Sequence, residues 1–130
     1  MGAMPVEFGI GCGWSVAVFC GRLDVMADGV LDALDGIDCP EPIIDEAEEL
    51  LRRSAENTGL TYTNRKLRTS VLVIGEASSP AEFFNSLTHE SRHLEAHIAQ
   101  TLGLDPFGEE ICYIAGEIAA KMFGIVRRHL

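Results

Sequence analysis

His89-Glu90-Ser91-Arg92-His93 is the stretch of this chain whose residue types and spacing can do chemistry. At about 100° per residue in an α-helix, His89 and His93 stand about 40° apart around the axis and one turn apart along it. Two imidazoles so placed can grip one tetrahedral cation. Glu90 lies beside them, positioned to take a proton from a metal-bound water whose pKa the cation lowers to about 7. The spelling H-E-x-x-H has this meaning only on a helix.

A histidine turned into a core would be packing rather than ligation, so the apolar residues of the same helix matter. Phe83, Leu87, Leu94, Ile98 and Leu102 centre about 120° from the two histidines on a helical wheel, which separates a core stripe from a histidine stripe. His97 continues the histidine stripe. On a straight helix, however, residues at i, i+4 and i+8 spread over about 12 Å of axis, too far for one ion with bonds near 2 Å. A helix-breaking pattern would bring a third histidine six residues after His93, where this chain has Ala99. His97 is therefore read first as a surface residue, ahead of a supporting group or a substrate contact. The third ligand is expected from the final helix, where Glu109, Glu110 and Glu117 are candidates. Relative to the apolar stripe of Ile111, Ile114, Ile118 and Met122, Glu109 points nearly opposite, and Glu110 and Glu117 flank it. Glu110 is nearer the returning loop and is the preferred ligand, with Glu117 in reserve.

The elements that must carry these residues are readable from local signals. Ser79-Pro80-Ala81-Glu82 is a capping box with proline at the first helical position, and Gly103 follows the last apolar residue in step, so the histidine helix spans about 79–102. Thr69 to Ile74 is dense in β-branched residues and ends at Gly75, the clearest strand. Val6 to Ile10 alternates with period two and Trp14 to Cys20 is a similar run, which predicts a hairpin over about 5–21. A loose helix is expected between Arg22 and Asp38, weakened by Gly29. A further helix is expected from about Ile43 to Asn57, with Ile43, Ala47, Leu50 and Leu51 inward and Gly59 as its cap. Leu60 to Thr63 reads as a short strand. Asp105-Pro106 is expected to open the last helix, with Ile111, Ile114, Ile118, Met122 and Ile125 along one side. Asp24, Asp28 and Asp32 recur every four residues and read as a solvated helix face rather than a cation site.

The chain has 130 residues, 20 acidic against 10 basic, and 47% hydrophobic content. That composition disfavours a disordered acidic tail and fits one α+β domain over 1–130, with an expected metal-binding core at about 69–123. A net charge of −10 disfavours nucleic acid as a partner, because counterion release needs a basic stripe. No apolar run approaches the roughly 20 residues needed to span a bilayer. Cys12, Cys20, Cys39 and Cys112 show neither a C-x-x-C pair nor a dense framework and read as mostly buried free thiols, with a Cys12–Cys20 bridge as the exception. An intracellular, cytoplasmic protein is expected. Ile125, Val126 and Leu130 are expected to leave apolar surface that a second subunit could cover in a homodimer.

Over residues 69–123 the chain resembles the zincin metallopeptidases of gluzincin type, and is most similar to the very short zincin-like proteins of phages and prophage-type elements. The resemblance rests on the strand Ser70 to Ile74, the H-E-x-x-H helix and Glu110-Ile111-Cys112-Tyr113-Ile114-Ala115-Gly116-Glu117. It implies a short, mostly antiparallel sheet with Val71 to Ile74 as an edge strand lining the cleft, against which a peptide or protein substrate lies. It further implies His89, His93 and Glu110 as ligands of Zn2+, Glu90 as general base and Tyr113 as an oxyanion contact. The expected function is zinc-dependent peptide-bond hydrolysis. The alternative is a non-catalytic, zinc-stabilised peptide-binding or regulatory module.

Overall fold

Alternating residues at the start of the chain build β1 (Val6–Ile10) and β2 (Trp14–Gly21), which pair antiparallel with Ile10 opposite Trp14. Gly13 takes the left-handed backbone (φ 87°) that closes this turn, and its N–H donates to the Ile10 carbonyl at 2.9 Å. In this computed structural model residues 4–129 are described, so Leu130 lies outside the described residues.

The helices α1 (Leu23–Gly36) and α2 (Glu41–Arg53) follow β2. Gly29 is accommodated inside α1 because Leu23, Met26, Ala27, Val30 and Leu34 bury a continuous stripe. Its aspartates face outward, as expected: Asp24 pairs with Arg22 at 2.8 Å and Asp28 with Arg52 at 2.9 Å. The second helix stops four residues earlier than its spacing predicts. Ser54 adopts a left-handed conformation (φ 50°), so the turn is made there and not at Gly59. Ala47 and Leu51 point inward as expected, but Ile43, in the first turn, is 40% exposed.

Gly59 instead begins β3 (Gly59–Asn64), followed by β4 (Thr69–Gly75). The sheet runs β1-β2-β4-β3; β2 and β4 are parallel and the two outer pairs antiparallel, so it is mixed. The expected edge strand Val71–Ile74 is therefore interior, flanked by β2 and β3, and the edge beside it is β3. The burial of β4 explains its composition, since Leu72 and Ile74 face one layer while Val71 and Val73 face the other.

The helix α3 (Pro80–Leu102) matches its sequence signals at both ends. Ser79 Oγ accepts the Glu82 N–H at 3.1 Å, and Gly103 caps the other end at φ 68°. The last helix, α4 (Glu109–Arg128), begins at Gly108 and not at Asp105. Asp105 spends its carboxylate on the Phe107 N–H, 2.9 Å away, which makes a turn of Asp105-Pro106-Phe107. α3 and α4 cover one sheet face through Trp14, Val16, Val18, Leu72 and Ile74, and α1 and α2 cover the other through Phe19, Val71 and Val73. The result is a small α+β domain with the sheet between two helical layers. Ile125 and Val126 are buried in the first of these cores, contrary to expectation, because they fall on the sheet-facing side of α4; Phe123 is the exposed apolar residue there. All four cysteines are free thiols, so the Cys12–Cys20 bridge is absent; contrary to the expectation of mostly buried thiols, Cys39 alone is buried, Cys12 and Cys20 are partly buried and Cys112 is exposed. No helix among the described residues is long and apolar enough to cross a membrane.

Candidate metal-binding site

Helix periodicity sends α3 residues to three surroundings. Leu94 and Ile98 enter the core, Ser91 meets Met122 of α4 at 3.6 Å, and His89 and His93 stand on the exposed face. The Nε2 atoms of His89 and His93 are 3.3 Å apart, with the ring planes inclined at 76°. The two rings hydrogen-bond to each other at this distance, which is also the separation of about 3.3 Å that a tetrahedral ion with two bonds of about 2.05 Å requires of its nitrogens. Together with Ala81, Phe84, Asn85, Thr88 and Arg92 they line an open depression of about 540 Å³ along α3.

Glu90 turns the other way, under β3, and is only 6% exposed. Thr61 Oγ1 donates to its Oε1 at 2.7 Å, while Oε2 lies 4.0 Å from His89 Nε2. The carboxylate is thus anchored through one oxygen, and the other lies between His89 and the Gly59 backbone of β3. Gly59 makes room for this: a β-carbon there would collide with the Val73 carbonyl oxygen and come within 3.1 Å of Glu90 Cγ and Oε2.

His97 is half-buried rather than on the surface. Its Nδ1 lies 2.7 Å from Thr63 Oγ1, which is 2.6 Å from Ser70 Oγ, itself the acceptor of the Trp14 indole N–H at 2.9 Å. Burial, assisted by the neighbouring His93 and the positive charge of Arg65, holds the His97 pKa below the ordinary histidine value. These partners were not singled out in the sequence. The signal was present in Leu60-Thr61-Tyr62-Thr63, whose alternation puts Leu60 and Tyr62 against one core and both threonines toward α3.

The remaining expected groups are not brought to the histidines. Antiparallel packing sets Ser91 against Met122, and Glu110 is twelve residues earlier on α4, about 18 Å back along the axis. Glu109 and Glu110 are exposed at the helix start, where their charge suits the helix dipole. Tyr113 is 76% exposed. Glu117 accepts the Gly11 N–H at 2.9 Å and ties α4 to the β1–β2 turn. Among the described residues, no group of three or more His, Cys, Asp or Glu side chains is assembled to hold a metal ion. The site thus consists of two exposed imidazoles in contact through their Nε2 atoms, with the anchored Glu90 carboxylate beside His89. No protein family, no curated protein and no solved structure matches this chain.

Proposed function

We propose that this chain is a zinc-dependent hydrolase of peptide bonds, with His89 and His93 holding the ion and Glu90 acting as general base. The observation that carries the reading is the 3.3 Å separation of the two Nε2 atoms on an exposed helix face beside a buried carboxylate. When bound, zinc supplies Lewis acidity, which acidifies water and polarises a carbonyl. The chain's own part is proton management. Glu90 Oε2 takes the proton of the attacking water and returns it to the leaving amine, while the Thr61 hydroxyl keeps Oε1 from rotating into that position. The open face of α3 admits an extended substrate.

A second reading, a zinc-stabilised peptide-binding module without turnover, is favoured by the distance of Glu110 and Tyr113 from the histidine pair. One set of variants decides between them. Untagged protein purified without added zinc is expected to carry about one equivalent by mass spectrometry, and His89→Ala to lose it. Glu90→Gln is expected to keep zinc and lose at least about 100-fold of peptide-library cleavage. Zinc-loaded wild type as inactive as Glu90→Gln would establish the module, and a wild type free of zinc would overturn both readings.

A further inference from the structure

The chain of hydrogen bonds Trp14–Ser70–Thr63–His97 has a direction that its residue types decide. An indole N–H only donates, so Ser70 Oγ accepts from Trp14. Ser70 is fully buried, and the acceptor within reach of its own proton is Thr63 Oγ1. Thr63 Oγ1 makes no other hydrogen bond among the described residues, so the arrangement that gives its own proton an acceptor has it donating to His97 Nδ1. Reversing the last two bonds would strand the Ser70 proton in the core without an acceptor. An imidazole that accepts at Nδ1 is neutral and carries its proton on Nε2. That tautomer has no lone pair on either nitrogen to offer a metal, because Nδ1 is engaged and Nε2 is protonated. The Nε2–H has no hydrogen-bond partner among the described residues. It sits one turn beyond His93 on the same stripe, with ring centroids 6.4 Å apart.

We infer that His97 is a fixed Nε2–H donor that binds a main-chain carbonyl oxygen of a peptide lying across the His89–His93 pair. The ligand's identity rests on the hydrolase reading; the tautomer does not. His97 is thus a substrate-binding residue and not the third metal ligand, and Thr63, Ser70 and Trp14 are its positioning residues.

Two measurements test this. Long-range 1H–15N spectra of the full chain labelled at histidine are expected to show His97 with its proton on Nε2 at neutral pH, and a tautomer mixture in Thr63→Val. A proton on Nδ1, or a cationic ring, overturns the inference. In cleavage of the best substrate from a peptide library, His97→Ala is expected to raise KM about tenfold with kcat and zinc content little changed, and His97→Gln, which restores a donor, to recover most of the loss. Loss of zinc in His97→Ala, or an unchanged KM, overturns the substrate role. Glu90→Gln cleaving as fast as wild type would instead remove the hydrolase reading, while the spectra would still decide the tautomer.

Discussion

A buried carboxylate is tolerated only with a partner, and Glu90 has Thr61. Thr61→Val keeps the shape and removes the 2.7 Å bond. It is expected to cost about 1–3 kcal/mol in urea unfolding and about tenfold in peptide cleavage with zinc retained, and Thr61→Ser is expected to behave like wild type. Cys20 shows the opposite response to burial, an ionisable group kept neutral. Loss of hydration, only partly offset by Arg128, pushes its thiol up to about 12. Because the folded pKa is raised, its contribution is complete below the unfolded thiol's pKa near 8.5 and is lost as pH rises toward 12. The urea midpoint of wild type is therefore expected to fall between pH 8.5 and 11, and that of Cys20→Ala to fall less over the same range.

Among the elements, β3 connects the strand pattern to the chemistry. Its two threonines reach α3 and its two apolar side chains enter the opposite core, so one strand fixes both Glu90 and His97. The absence of a side chain at Gly59 lets β3 lie close to Glu90 and to the β4 backbone. Gly59→Ala cannot be relieved by a rotamer change, since one obstacle is a main-chain carbonyl. A loss of about 2–3 kcal/mol in the urea midpoint is expected, with reduced cleavage, and an unchanged midpoint would show that β3 can shift outward freely.

At the scale of the whole molecule, the sheet separates two cores that share little except strands β2 and β4. Leu94 of α3 and Leu51 of α2 are fully buried on opposite sides. Truncating either to alanine is expected to cost about 2–5 kcal/mol, and the two losses to add within about 0.5 kcal/mol, because the sites share no contacts. Strong non-additivity would mean that the layers are coupled through the sheet. Only the α3–α4 layer carries the histidines, so Leu94→Ala, which lies one residue from His93, is the variant expected to disturb zinc binding as well.

The histidine pair and its helix were legible in the amino-acid sequence because a cap at Ser79, a stop at Gly103 and a 3.6-residue period are local properties. So were the first hairpin and the strand at Thr69 to Gly75. The spacing that places His89 and His93 one turn apart needs no knowledge of what surrounds the helix. What surrounds it was settled by tertiary structure alone. That β3 and not β4 forms the edge beside α3, that Glu117 is spent on the β1–β2 turn and that Glu110 stands far from the histidines all follow from how strands order and how α4 docks. Those outcomes depend on the summed burial of residues distant in sequence, and no window along the chain encodes them. His97 combines both cases. Its place on the stripe is local, while its tautomer depends on a threonine, a serine and a tryptophan from three different strands.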